Sequence, residues 1–380
     1  MFASQKVLAD GSPEPFVLRA SAPGRVALLS RVCYNLGMTQ EEGTCRAECK
    51  VRNQRVKALS ISGPVFDAVR REGLTGRVLA SYHRACNLVT SGGELIALVG
   101  PAVGNGPLNI VIEETGVLEQ VKPGLPAVFS DHQFVLGDSL IVWLDEAQLW
   151  RPEVNWECLA TQQRRLRDSL AVLCDWLSQN DEPRVALRGL SNPRFEPGSG
   201  DPGRAKLNLL NLVLNGEKEP GLRMDGPRSP HNLAFLKTAW AGIKRLLNAL
   251  QDGDRLGIHE SAARLAGLGP GLTPSGDDYL VGLMAGLRVW PSPLENSGLS
   301  PDEACQIIFE AAKGRTTLLG RAFLRSAKEG LFGENWHELL AALVRGDAIG
   351  IQRAARRVLS SGATSGADAL AGFLSPYLYT

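Results

Sequence analysis

Gly267-Leu268-Gly269-Pro270-Gly271-Leu272-Thr273-Pro274-Ser275-Gly276-Asp277-Asp278, running straight into the largely apolar stretch Tyr279 to Trp290, decides how this chain is read. Glycine at 267, 269, 271 and 276 permits positive φ and close approach of another group, while Pro270 and Pro274 fix φ near turn values. The product is a stiff loop feeding a helix. Ser275 with Asp278 three residues later fits a capping box, and Thr273 with Pro274 at the first helical position is the alternative start. Either start leaves backbone N–H groups of 275 to 277 at the loop, and a helix N-terminus is a ready site for phosphate or carboxylate. Asp277 and Asp278 suit the helix dipole but would repel an anion unless a hard cation such as Mg2+ stood between, held by those carboxylates. The plain alternative is a core helix whose acidic first turn serves its own dipole.

Working outward, the motif has an echo. Ser275-Gly276-Asp277-Asp278-Tyr279-Leu280-Val281-Gly282 aligns with Ser365-Gly366-Ala367-Asp368-Ala369-Leu370-Ala371-Gly372, sharing Ser, Gly, Asp, Leu and Gly at equal offsets. Each copy follows a loop containing Gly and Thr and opens a helix whose glycines admit another backbone. The expectation is that both helix starts converge on one pocket with Asp277, Asp278 and Asp368; a capping solution used twice is the alternative. Lys313-Gly314-Arg315-Thr316-Thr317 is a third glycine-and-hydroxyl helix start. Arg315 could hold a carboxylate or phosphate bidentately, or be a surface residue beside an N-cap.

The rest of the second half reads as helices at about 204–215, 231–251, 254–266, 276–290, 302–313, 317–329, 334–345, 348–360 and 365–378, after a helical run from Trp156 to Ser178. Segments 181–204 and 217–230 are dense in Pro, Gly and charge and read as loops. The first half differs. Short Val-, Ile- and Leu-rich segments at 24–29, 55–61, 76–80, 94–99, 108–112 and 139–143, separated by Gly, Pro or Asn, predict strands. Their spacing leaves too few residues for crossover helices, so a closed or sandwiched antiparallel sheet is expected. The fold class is therefore α+β, with a β-rich domain over 1–155 and an α-helical domain over 156–380.

At 380 residues, two domains are the natural division. With 41 basic against 40 acidic residues, no polyanion partner is indicated and a nucleic-acid role is not expected. No apolar leader opens the chain and no stretch is long enough to span a membrane, which points to the cytoplasm. Seven cysteines without a CxxC pair read as thiols, with zinc at Cys33, Cys45 and Cys49 the minor alternative. There is no GxxxxGK[ST] loop, GxSxG elbow or HExxH, and the GxGxG at 267–271 follows a helix rather than a strand. Asn87 and the Gly106-Pro107 segment place polar groups at strand ends in the first half.

Taken together, the 267–278 block, Arg315-Thr316-Thr317, Thr364 to Gly372, Asn87-Leu88 and Gly106-Pro107 resemble a bacterial family that includes AllH, a subunit of oxamate carbamoyltransferase, the three-subunit enzyme of anaerobic allantoin breakdown. The resemblance runs from about 80 to the C-terminus. It implies carbamoyl transfer between oxalurate and phosphate, giving oxamate and carbamoyl phosphate, with AllF-like and AllG-like partner chains. On this reading Ser275, Asp277, Asp278 and Arg315 carry the chemistry. Gly269, Gly271, Thr273, Gly276, Thr316, Thr317, Ser365, Gly366, Asp368 and Asn87 bind substrate, and Asp277 and Asp278 would hold Mg2+ if it is used. A non-catalytic assembly subunit, or a stand-alone enzyme on another carbamoylated or phosphorylated molecule, are the other readings. Ala367, where the family often has a bulky residue, is one departure.

Overall fold

The computed structural model describes residues 54–71, 73–179, 209–215 and 230–379. The strand expected at 24–29, the three-cysteine zinc alternative and the loops at 181–204 and 217–230 lie outside them, apart from Pro230, which opens a helix.

β1 (Gln54–Ser62) shows why the first region closes on itself. Val56 and Ala58 are buried while Arg55, Lys57 and Leu59 face out, the period-2 pattern of a strand with one covered face. A one-turn-plus helix α1 (Gly63–Val69), capped by Ser62, leads to β2 (Thr75–Tyr82), β3 (Ala85–Thr90), β4 (Leu95–Val99) and β5 (Asn109–Ile112). β6 (Pro126–Phe129), β7 (Gln133–Leu136), β8 (Leu140–Trp143) and β9 (Gln148–Trp150) follow. The strands order as β5-β4-β3-β2-β6-β7-β8-β1, and β1 also pairs with β5, so the first eight form a closed barrel; β9 adds to β1. Closure removes the free sheet edges. Leu88, Ile96, Leu98, Ile110, Phe134 and Leu136 fill the interior.

Pairing is mixed rather than wholly antiparallel. The connection at 100–108 carries the chain across so that β5 runs parallel to β4, and β1 runs parallel to β8 and β9. Ala97, Val99 and Val111 form a small apolar patch on the opposite wall face.

Beyond the barrel come α2 (Trp156–Ala160), α3 (Gln163–Gln179), α4 (Leu209–Asn215), α5 (Pro230–Asp252), α6 (Arg255–Leu265) and α7 (Ser275–Val289). α8 (Pro301–Ala312), α9 (Leu318–Lys328), α10 (Glu334–Arg345), α11 (Ala348–Leu359) and α12 (Ser365–Leu378) complete the region. The single run expected from Trp156 to Ser178 is two helices, because Asn155 caps a short first one that ends at Thr161. In α7 every residue except Val281 is buried, which makes it the central helix. Among the described residues no helix is long and apolar enough to cross a membrane.

The barrel is tied to the helices at one polar joint. Asn105 donates from its backbone and its side chain to Glu334 Oε2 at 3.0 and 3.1 Å, and Glu334 N–H returns a bond to Asn105 O at 2.9 Å. Ser60 of β1 donates to Asn105 Oδ1 at 2.5 Å, so the Gly106-Pro107 neighbourhood serves this joint. Glu334→Ala leaves the two Asn105 donors without their acceptor. A loss of about 1–3 kcal/mol is expected in chemical denaturation, and an unchanged midpoint would show that the joint contributes nothing.

Candidate functional site

The two echoed helices meet backbone to backbone. A methyl group at Gly282 would overlap the carbonyl oxygen of Ala369, one at Gly286 that of Phe373, and one at Gly372 that of Tyr279. Glycine is required here by contact rather than by φ. The arrangement is nearly two-fold: Gly282 meets the turn at Ala369 and Gly372 meets the turn at Tyr279, equivalent positions of the repeat. Gly276 and Gly366 likewise lie against the carbonyls of Leu265 and Val358 at the ends of the preceding helices. Inside the contact, Tyr279 donates to Ser375 Oγ at 3.0 Å, and Ser375 to Ala371 O at 2.8 Å.

This packing brings the two helix starts together, and their polar side chains cross over. The Ser365 hydroxyl of α12 and that of Thr273 stand beside the Asp278 carboxyl of α7 and favour its charged form. Asp368 of α12 accepts from the Leu209 amide of α4 at 2.6 Å, with the Ser275 hydroxyl of α7 and that of Thr364 beside it. Thr273 Oγ1 and Ser365 Oγ are 3.0 Å apart. The capping box expected at Ser275 and Asp278 therefore does not form: Pro274 stands at the N-cap with no side-chain bond. Each serine instead acts on the aspartate of the other helix, because interhelical contact brings those groups together.

Asp277 works on the loops instead. It accepts from the Gly267 amide at 2.8 Å and from the Thr316 hydroxyl, which fastens the 267–273 loop to the segment before α9. Thr317 caps α9 by accepting from Gly320 N–H at 2.9 Å and donates to Leu272 O at 2.7 Å. Gly269 and Gly271 hold φ of 112° and 115°, which L side chains rarely adopt. Gly267, at φ 73°, lies against the carbonyl of Arg315.

Burial sets the electrostatics. It pushes the Asp278 carboxyl up to about 8, helped by the neighbouring Asp368 and Asp277 charges and opposed by the Ser365 and Thr273 hydroxyls. Burial also raises Asp368, to about 6, against the Leu209 amide and the Ser275 and Thr364 hydroxyls, and it raises Asp277 against Thr316 and Gly267. Burial thus favours the protonated form more strongly at Asp278 than at Asp368. Groups whose folded pKa is raised bind protons better folded than unfolded. Their stabilisation is full below the ordinary carboxylate range, about pH 4, and is lost as pH rises through about 6 for Asp368 and about 8 for Asp278. The melting temperature should fall between pH 5 and 8.5, and Asp278→Asn should flatten the upper part of that fall; parallel profiles for both proteins would refute the assignment.

The expected main-chain cradle is corrected for two of its three amides. Gly276 N–H donates to Leu268 O at 2.9 Å and Asp277 N–H to Pro274 O at 2.9 Å, since the loop folds back on the helix start. Among the buried side-chain atoms of the two starts, Asp278 Oδ2 and Asp368 Oδ2 have no hydrogen-bond partner among the described residues. No group of three or more His, Cys, Asp or Glu among those residues is arranged to hold a metal ion. Arg315 is exposed beside the loop and has no ion-pair partner among the described residues. Asn87 is elsewhere, mid-strand in β3 opposite Ala80 and Ala97 in the barrel wall rather than at a strand end. Sequence reasoning missed the Leu209 amide, which lies far along the chain and carries no motif.

The fold and this crossed cluster define an α+β protein in which a closed barrel is joined to a helical region centred on a duplicated, glycine-packed helix start. Residues 265–376 match the family model described as oxamate carbamoyltransferase subunit AllH, and residues 57–149 match the AllH family N-terminal domain. The chain belongs to the AllH family. The first match begins at the end of α6 and spans both copies of the motif. No solved structure matches this chain.

Proposed function

We propose that this chain is a carbamoyl-handling subunit of an oxamate carbamoyltransferase assembly, working with AllF-like and AllG-like chains. The reaction breaks the bond between the carbamoyl carbon and the amide nitrogen of oxalurate and forms a bond from that carbon to a phosphate oxygen. The nitrogen leaves as the NH2 of oxamate and so needs a proton. Asp278, whose protonated form burial favours, is the acid that supplies it, and the proton lost by phosphate restores Asp278. Arg315 is the cation for the carboxylate or phosphate. The observation that carries this reading is the crossed Asp278 and Asp368 pair, with one unpaired oxygen on each, inside the segment that matches the AllH description.

One observation favours the rival reading, an assembly subunit: the Gly276 and Asp277 amides are used by the fold itself. Co-expression with the partner subunits and an assay of phosphate-dependent oxalurate cleavage separates the two. Carbamoyl transfer that requires this chain, and that Asp278→Asn removes from an intact complex, supports the catalytic role. An intact complex with Asp278→Asn and full turnover leaves only the scaffold.

A further inference from the structure

We propose that the seam between α3 and α11 is the docking surface for another subunit of the assembly, which lays an acidic, amphipathic helix along it. This rests on the carbamoyltransferase reading above and names where the chain meets its partner. Three observations carry it.

First, the two helices border one seam with known stripes. Arg165 Nη1 donates to Val344 O at 3.3 Å and Ser169 Oγ to Leu343 O at 2.7 Å, both at the end of α10, while the Arg356 guanidinium of α11 stands 5.1 Å over the Trp176 ring. α11 therefore runs beside α3 in the same direction. Val172 lies between Ser169 and Trp176 on one face of α3, and Ile349 and Arg353 share a stripe with Arg356 on α11.

Second, the seam exposes apolar side chains. Ile349 is 77% exposed, more than any other large apolar residue among the described residues, and Val172 is 38% exposed. One such residue is ordinary; two along one seam, ringed by charge, are the pattern of an interface. Third, the ring is mostly of one sign. Arg164, Arg165, Arg345 and Arg353 are exposed and have no ion-pair partner among the described residues. Of the acids beside them, Asp347 is engaged in capping α11, where it accepts from Ile349 N–H at 3.2 Å. An open hollow of about 380 Å³, lined by Thr161, Gln162, Arg164, Arg165 and Asp168, stands at the start of α3. The whole chain has 41 basic against 40 acidic residues, so this excess of arginine is local.

The chemistry selects the occupant. Guanidinium groups call for carboxylates, which they hold by paired hydrogen bonds, and Val172 and Ile349 call for apolar side chains, which a nucleic-acid backbone lacks. A third helix fits the groove between two others and presents both kinds of group on one face. A second copy of this chain does not suit, because a two-fold contact through the seam would set these arginines against themselves. The matched description, a subunit of an enzyme, calls for other chains.

The test co-expresses the full chain with the AllF-like and AllG-like chains and measures assembly by light scattering and by titration of the purified chains. Ile349→Asp and Arg353→Glu are each expected to weaken assembly at least ~10-fold, and Arg353→Glu also to reduce its sensitivity to salt. Leu256→Asp is the control and should assemble as the wild type does. Leu256 is 67% exposed in the first turn of α6, as Ile349 is in the first turn of α11, and an acid suits both places. Melting curves of the separate chains show whether the three variants are folded. Wild-type affinity in both seam variants overturns the proposal, as does a wild type that assembles with neither chain, or a loss in Leu256→Asp equal to that in Ile349→Asp. A wild-type chain that pairs with itself and becomes monomeric on Ile349→Asp gives the seam to a second copy and overturns it too. A complex that transfers carbamoyl groups and is indifferent to both seam variants sinks this inference alone. A complex that the seam variants dissociate, but that transfers nothing, sinks the functional reading alone.

Discussion

Gly282→Ala is expected to cost about 3 kcal/mol or more and to leave little soluble protein, although it adds a single methyl group. That methyl would overlap the carbonyl oxygen of Ala369, a backbone atom that no rotamer change can move. Relief requires α7 and α12 to separate, and with them the buried Tyr279, Leu283, Leu370 and Phe373. Gly314→Ala is the control. It sits at φ +80° with open space around a Cβ, so its cost is backbone strain of about 1–2 kcal/mol. Denaturant midpoints of the two variants settle the matter: equal losses would mean that contact at Gly282 does not hold the helices together. Gly372→Ala, against the Tyr279 carbonyl, should match Gly282→Ala.

Asp278→Asn should lower carbamoyl transfer by the assembled enzyme ~10²-fold or more, the usual worth of a positioned acid. Asparagine preserves an oxygen for the Ser365 and Thr273 hydroxyls and cannot ionise. The variant is thus expected to be inactive yet no less stable than the wild type above pH 8, where the native carboxyl would otherwise be charged in a buried place. Wild-type turnover should in turn fall as pH rises through about 8, because the proton to be donated is lost. Steady-state rates from pH 6 to 9 and melting curves over the same range check both halves. Full activity in Asp278→Asn, or a rate that does not fall above pH 8, would remove Asp278 from the chemistry.

Much of the fold is legible in the residues. The helices α5 to α12 are bounded by glycines and prolines, and strands such as β1 and β4 announce themselves by apolar runs between turn residues. β6 and β7 do not, since Pro126–Phe129 and Gln133–Leu136 are four residues each and show their period only when paired. The parallel β4–β5 pairing is a property of the path at 100–108 and leaves no local mark. At the site, the duplicated Ser, Gly and Asp pattern indicates that 275–278 and 365–368 belong together, and the glycine packing and the Thr273–Ser365 contact join them. That the same serines and aspartates would trade partners instead of capping their own helices is decided by how closely Gly282 and Gly372 let the backbones approach. Asn87 shows the limit: a polar residue near an apparent strand end is mid-strand once β3 is traced.

The glycine contact between α7 and α12 also bears on the order in which the protein is made. About 90 residues separate Ser275 from Ser365, so at ribosomal speeds of ~5–20 residues per second α7 waits several seconds for the surface it was shaped to receive. During translation the most buried helix of the finished molecule therefore lacks one of its covering surfaces for that interval, which gives chaperones a reason to hold the nascent chain there.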